Sequence, residues 1–268
     1  MTAPSDAVTR FRQLHRHGLL RLANAWDAGT ARLIEHLGAP AVATTSAGLA
    51  WALGYPDGDR LQPDALLHAV QGIVRTLQVP LTVDVEGGYS DDPATAAGTV
   101  MRVVQAGAAG INLEDGAGEP ALLAAKIRAI RTACAAQGLD VFINARTDVY
   151  LRGLVVETAR IDETLARAEA YREAGADGLF VPGVVDADAI ATLAARCGMP
   201  LNVMLRPQLQ VLAALERLGV RRISTGSALA ESMYGRLGAQ VEAFLRDERT
   251  TLPDPQAMGY GAVNGLFA

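Results

Sequence analysis

Cysteine is nearly absent. Cys134 and Cys197 are the only two in 268 residues, each within a helix-like stretch and far from C-x-x-C spacing. A structural disulfide is thereby disfavoured, and a cytoplasmic location is expected. No apolar run approaches the roughly 20 residues of a bilayer span. The polar stretch MTAPSDAVTRFRQLHRHG at the start lacks the apolar segment of a secretory signal. Nor is one sign of charge in excess: 24 Lys and Arg stand against 29 Asp and Glu, and the net −5 supplies no field to gather nucleic acid or an anionic membrane. Linkers rich in Pro, Gly or Ser are missing too. Residues 1–268 therefore read as one domain, with a helical extension from about residue 227.

What the chain has is repetition. Short apolar runs, often β-branched, recur at 19–26, 41–46, 81–86, 110–115, 141–148, 178–182, 201–204 and 222–225. Between them, apolar residues at helical spacing cover 63–77, 93–106, 120–137, 162–174, 186–196, 208–218 and 229–245, and Asp27 caps one more helix reaching Leu37. Glycine follows several of these helices, as at Gly107 and Gly175, where a left-handed residue ends the helix. Eight strand–helix units in a chain near the usual length of ~250 residues predict a closed (β/α)₈ barrel. An open doubly wound sheet would normally have fewer strands. Each strand begins apolar and ends polar, at Asn24, Ser46, Asp84 and Glu86, Glu114, Arg146 and Asp148, Asn202, and Ser224 and Thr225. In a barrel these carboxyl ends converge on one mouth, where barrel enzymes keep their chemistry. The four histidines, His15, His17, His36 and His68, fall on helices away from the strand ends and read as surface or interhelical residues.

The stretch Val83-Asp84-Val85-Glu86-Gly87-Gly88-Tyr89 is the most informative. Side chains alternate along a strand, so Asp84 and Glu86 share one face, and Asn112 and Glu114 repeat the pattern on the next strand. Three carboxylates gathered at a barrel mouth repel one another unless protonated or neutralised by a cation. Hard oxygen ligands suit Mg²⁺ or Mn²⁺, so Asp84, Glu86 and Glu114 are the candidate metal ligands. The blander reading is that acids here cap helices or pair with arginines, a cap being the expectation for Asp115. Arg146 shares a strand face with Asn144 and Asp148. It either grips a substrate carboxylate with two parallel hydrogen bonds or merely balances the acids. Ser46, Ala47 and Gly48 offer a turn of small residues where backbone N–H groups can approach a ligand oxygen, although a tight strand-to-helix turn explains them equally. Asn112 and Asn202 complete the candidate substrate contacts.

Together these segments resemble the isocitrate lyase/phosphoenolpyruvate mutase superfamily. The matching pieces are LANAWDAGTARL, TTSAGLAWALGYPDGDRL, VDVEGGY, GINLED, NARTD and GADGLFVPG, in that order from about residue 20 to 230. The resemblance implies a (β/α)₈ barrel whose last helix is exchanged with a neighbouring subunit, in a homo-oligomer (dimer or tetramer). It implies Mg²⁺ held directly by Asp84, with Glu86 and Glu114 at water-mediated positions. Ser46, Ala47 and Gly48 match the loop that binds the substrate carboxylate and oxo oxygen, Arg146 the substrate-binding arginine, and Asp57 the active-site aspartate of the following loop.

Two departures narrow the chemistry. The superfamily's lyases carry a cysteine segment after the fourth strand, and its mutases a longer gating loop. Here Glu114-Asp115-Gly116-Ala117-Gly118-Glu119 leads straight to Pro120, and neither cysteine lies nearby. The expected function is therefore Mg²⁺-dependent carbon–carbon cleavage or decarboxylation of a small 2-oxo (di)carboxylic acid, such as oxaloacetate or 2-oxoglutarate, through a metal-stabilised enolate. A retro-aldol variant needs a base, for which Asp57 and Asp148 are available, with Tyr89 as a proton donor. Phosphonopyruvate- or phosphoenolpyruvate-type P–C chemistry is the alternative. Two rivals stand outside it: a non-catalytic 2-oxo-acid binder, and a phosphate-binding barrel using Thr225-Gly226-Ser227.

Overall fold

The computed structural model describes residues 4–246 and 257–268. Nine parallel strands form one sheet: β1 (Leu20–Leu22), β2 (Asn24–Ala25), β3 (Val42–Thr44), β4 (Leu81–Asp84), β5 (Gly110–Glu114), β6 (Phe142–Arg146), β7 (Gly178–Phe180), β8 (Leu201–Met204) and β9 (Arg222–Ser224). Their order is β1-β9-β8-β7-β6-β5-β4-β3-β2. β1 and β2 are one run broken only at Ala23; the first half pairs with β9 and the second with β3, which brings the sheet round into a barrel. The α/β barrel expected from the repeat is what the chain forms.

The period-2 pattern explains the layers. Val83, Ile111, Ile143, Leu179 and Val203 are fully buried and pack outward against Leu66, Val100, Ile127, Ala168 and Ile190 of the surrounding helices. Each such side chain contributes about 1.5–3 kcal/mol on burial. The alternate positions, among them Asp84, Asn112, Asn144, Arg146 and Asn202, are turned the other way, into the barrel. Asp27 caps its helix as expected, accepting from Thr30 N at 2.7 Å while Thr30 Oγ1 accepts from Asp27 N at 3.2 Å. Gly107 and Gly175 take φ of 112° and 106°, the left-handed turns that return the chain to a strand.

Three features depart from the sequence reading. The helix Pro4–Gln13 seals the amino end of the barrel, with Val8 and Phe11 buried against Leu20, Ala109 and Phe142. His15 follows it in a turn and is buried rather than on a helix surface. Its ring stacks on Phe142 at 4.2 Å and its Nδ1 lies 2.8 Å from the carbonyl of Phe11. Burial, then the charge of Arg222, lowers its pKa to about 3, so it is a neutral aromatic plug. His17 also lies past the helix, in a bend. Lastly, Ser46 is not a strand end but opens a short helix, Ser46–Ala52, capped by Thr45.

The helix Ala228–Arg246 follows β9 and buries only Ala230, leaving Leu229, Leu237, Val241, Phe244 and Leu245 exposed. Among the described residues no helix is long and apolar enough to cross a membrane.

Candidate active site

Asp84 and Glu114 lie at the carboxyl ends of β4 and β5, and Glu86 lies in the turn that follows β4, not on the strand. Asp84 ends β4, its backbone N–H held by Thr44 Oγ1 at 2.9 Å. Its Oδ1 accepts from Glu86 N at 3.1 Å. Glu86 accepts from the Tyr89 hydroxyl at 3.1 Å and from the backbone N–H of Asp59. Glu114 ends β5 and pairs with Arg146 at 2.5 Å. Burial raises the pKa of all three. Asp84 is pushed up despite the pull of Arg146. Glu86 reaches about 7, with Asp59, Asp84 and Asp57 adding to the burial effect. Glu114 reaches about 8, Arg146 offsetting only part of the cost.

Arg146 faces these acids from β6. Its Nε and Nη2 donate to Asp148 at 2.7 and 3.1 Å while Nη1 meets Glu114. Burial opposes its charge, but Glu114 and Asp148 outweigh that and raise its pKa. The arginine is thus a fully engaged ion-pair partner in this structure. Asp148 is wholly buried and gripped a second time by Arg152 Nε at 2.8 Å, which leaves it ill-placed as a free base. Asp115 caps no helix. Its side chain is buried, accepting from Arg167 at 2.8 Å, Tyr171 at 2.6 Å and the backbone of Asp148 at 2.9 Å, and so braces the turn that carries Arg146.

The remaining predicted residues separate into two groups. Asp57 is exposed on the loop after the Ser46–Ala52 helix, with its charge felt by Asp84 and Glu86. Ser46, Ala47 and Gly48 form the first turn of that helix. A Cβ at Gly48 would come within 2.6 Å of Thr45 and 2.9 Å of Trp26, so packing alone requires glycine there. Asn112 lies below the cluster, its Oδ1 accepting from Asn144 at 2.9 Å and Arg222 at 3.0 Å while its side chain also bonds Asp84. Asn202 is the second residue of β8 and not its polar end; it is fully buried, and neither side-chain polar atom has a partner. The phosphate-site rival loses its donors, since the N–H groups of Thr225 and Gly226 are both taken by Asn24 Oδ1, at 3.0 and 3.1 Å.

Asp59, Arg152 and Arg222 are site neighbours that the sequence reading missed. Asp59 accepts from Gly87 and Tyr89 N–H at 3.2 and 3.3 Å, tying the 57–59 loop to the acidic turn. Among the described residues the only non-glycine residues with positive φ are Asp59, Glu86 and Tyr89, at 55°, 49° and 59°. Backbone strain thus concentrates in two facing loops at the mouth, as it does at functional sites. Arg222 is fully buried beneath Asn112, with Nε and Nη1 unpartnered. Alternating polarity within the strand run, Arg222 followed by Ile223 and Ser224, was the available signal for it.

Among the described residues no three His, Cys, Asp or Glu side chains are grouped to hold an ion directly. The donor set nonetheless suits a hard divalent cation. Three carboxyl groups lie within each other's field, Asp84 and Glu86 buried and Glu114 partly buried. Arg146 stands beside them and Arg222 below, and a divalent cation would supply further countercharge. Both cysteines lie elsewhere: Cys134 Sγ is 3.4 Å from Met101 Sδ, Cys197 Sγ 3.1 Å from the carbonyl of Met199, and burial raises both pKa values. From Glu114 the chain passes through Gly116–Glu119 directly into the helix Pro120–Ala136.

The family profile for phosphoenolpyruvate phosphomutase matches residues 11–245. An uncharacterized protein of Mycobacterium tuberculosis is 40% identical over 222 residues, 81% of each chain. An oxaloacetate decarboxylase of Paraburkholderia xenovorans is 30% identical over 242 residues, 85% of this chain and 78% of the relative. The crystal structure of a candidate phosphonomutase from Burkholderia cenocepacia J2315 is 39% identical and superposes with a TM-score of 0.85, covering 90% of this chain and 100% of that one. With the barrel, the acidic turn and the NARTD strand in place, the chain belongs to the isocitrate lyase/phosphoenolpyruvate mutase superfamily.

Proposed function

We propose that this protein is a divalent-cation-dependent carbon–carbon lyase acting on a small 2-oxo (di)carboxylic acid, with decarboxylation of oxaloacetate the first candidate reaction. One observation carries the reading: three carboxyl groups with raised pKa values, Asp84 and Glu86 buried and Glu114 partly buried, lie opposite the partly buried Arg146 at the barrel mouth. The likeness to an oxaloacetate decarboxylase at 30% identity supports it. Asp84 would hold Mg²⁺ or Mn²⁺, with Glu86 and Glu114 reached through water. Bound there, the cation supplies Lewis acidity toward the carboxylate and oxo oxygens of the substrate, favouring an enolate.

The protein's own residues supply the rest. Arg146 Nη1 is paired with Glu114, and it would serve the substrate carboxylate once Glu114 is engaged elsewhere, as it would be with a divalent cation bound. Asp148 keeps Nε and Nη2 aimed while this exchange occurs. The first-turn N–H groups at Ser46 and Ala47 serve the substrate oxygens, that of Gly48 being held by Thr45 Oγ1 at 3.5 Å, and Asn112 steadies Asp84 from below. Tyr89 keeps its proton, because burial and then Glu86 raise its pKa, and it is a donor at the mouth. Asp57 remains the exposed carboxylate for any step that needs a base. Loss of CO₂ needs no protonated leaving group, which fits a site without the cysteine segment. P–C bond chemistry is the second reading, favoured by the likeness to a candidate phosphonomutase.

We further propose that the exposed apolar side of Ala228–Arg246 packs on a second copy in a dimer or tetramer. A panel of 2-oxo acids and phosphonopyruvate, assayed with and without Mg²⁺ for pyruvate, CO₂ and phosphate release, tests the function. Metal-dependent release from a 2-oxo dicarboxylate supports it. Phosphate release alone installs the second reading, and no turnover of any member refutes both.

A further inference from the structure

The geometry points to Arg152 as a specificity residue that receives the distal carboxylate of a 2-oxo dicarboxylate, an inference that rests on the proposed function and narrows its substrate class. Arg152 closes the short helix Val149–Arg152, immediately after the strand that carries Arg146. Its Nε is fixed to Asp148 Oδ2 at 2.8 Å, the same carboxylate that holds Arg146. One buried aspartate therefore orients two guanidinium groups. Arg146 is turned to the acids, and Arg152 is about half exposed, its two terminal nitrogens making no hydrogen bond in the structure.

Arg152 lines a cavity of about 270 Å³ whose walls also include Glu114, Asp59, the 116–119 turn and Lys126. That is smaller than the ~300–1,000 Å³ typical for drug-sized ligands, so the cavity holds only a small molecule, and Asp59, Asp91, Asp115 and Glu119 also line it. Lys126 is already committed, donating to the carbonyl of Gly87 at 2.7 Å with Asp91 at 3.8 Å. Arg152 is the cation in the lining with donors to spare. A dianion whose 2-oxo end lies by Glu114, the residue through which the cavity adjoins the acidic cluster, meets its counter-charge for the far end at Arg152, and a monocarboxylate leaves that guanidinium unused.

The contact is made in the ground state. If the distal carboxylate departs as CO₂, the grip weakens as the bond breaks, so Arg152 lowers KM without raising kcat.

Arg152→Gln keeps a donor for Asp148 and removes the charge. Calorimetry in Mg²⁺ would compare oxalate, which has only the chelating half, with two matched pairs: oxaloacetate against 2-oxobutanoate, and 2-oxoglutarate against 2-oxopentanoate. In the wild type, the dicarboxylate of at least one pair binds about tenfold tighter or more, and Arg152→Gln loses most of that preference with oxalate affinity within about twofold of wild type. A preserved preference overturns the inference. So does a parallel loss of oxalate affinity, which would make Arg152 a prop for Arg146. A wild type that binds oxalate without favouring either dicarboxylate refutes this inference alone, and one that binds no oxalate refutes the proposed function itself.

Discussion

Replacing Arg146 with alanine should separate substrate binding from metal binding. The side chain is partly buried and makes three polar contacts, one with Glu114 at 2.5 Å and two with Asp148 at 2.7 and 3.1 Å. Removing one partner of a buried pair costs about 3–5 kcal/mol when the other charge has no escape. Here both carboxylates have one. Asp148 keeps Arg152, and Glu114, already near pKa 8, takes up a proton. The folding loss should therefore fall below that range near pH 7 and shrink further at pH 6. The ligand has no such escape. Its carboxylate loses the charge-assisted contact with Nη1, a cost of about 2–5 kcal/mol, or roughly thirtyfold to several thousandfold in affinity. Calorimetric titration of oxalate in Mg²⁺ reads the second effect and a denaturant melt the first. Mg²⁺ affinity should hold or rise, because Glu114 no longer has a competing cation. Normal oxalate affinity in a folded Arg146→Ala protein would show that the arginine is a structural counter-ion only.

The raised carboxyl pKa values set a pH dependence. Glu86 and Glu114 bind protons more tightly folded, at about 7 and 8, than at their ordinary 4.5, so the metal-free fold loses stability as pH rises through that window. A divalent ion competes with those protons, and the Mg²⁺-induced rise in Tm should be larger at pH 8.5 than at pH 6; an equal or larger rise at pH 6 would oppose it. Cys134→Ser and Cys197→Ser should leave turnover within about twofold while lowering stability by roughly 1–3 kcal/mol, the cost of a buried hydroxyl; a folded variant without turnover would reinstate a cysteine mechanism. Sedimentation at micromolar concentration should give a dimer or tetramer, and a monomer would contradict the proposed packing of Ala228–Arg246.

The barrel was legible because its signal is periodic. Strand alternation, helical spacing and terminal glycines all point the same way, so Val83, Ile111 and Ile143 turn outward and Asp84, Asn112 and Arg146 inward as the pattern requires. Asp84 was legible for the same reason, but Glu86 lies two residues past the end of β4, in a turn at φ 49° where strand alternation no longer applies. What escaped depends on contacts distant in sequence. Asp115 looks like a helix cap locally, but it is claimed by Arg167 and Tyr171, 52 and 56 residues on. His15 looks like a surface residue until Phe142 covers it. Asn202 reads as a polar strand end, although the expected run 201–204 coincides with β8, of which it is the fully buried second residue. Arg152 sits at an ordinary helical position, and only the fold shows that it shares Asp148 with Arg146.

The most direct test is pyruvate release from oxaloacetate by the wild type and by Asp84→Asn, in Mg²⁺ and in excess chelator, against the background of the free metal ion. The wild type should exceed that background in Mg²⁺ and fall to it with chelator, and Asp84→Asn should remain at background throughout. Equal rates for the two proteins, or wild-type turnover that survives the chelator, would contradict the account.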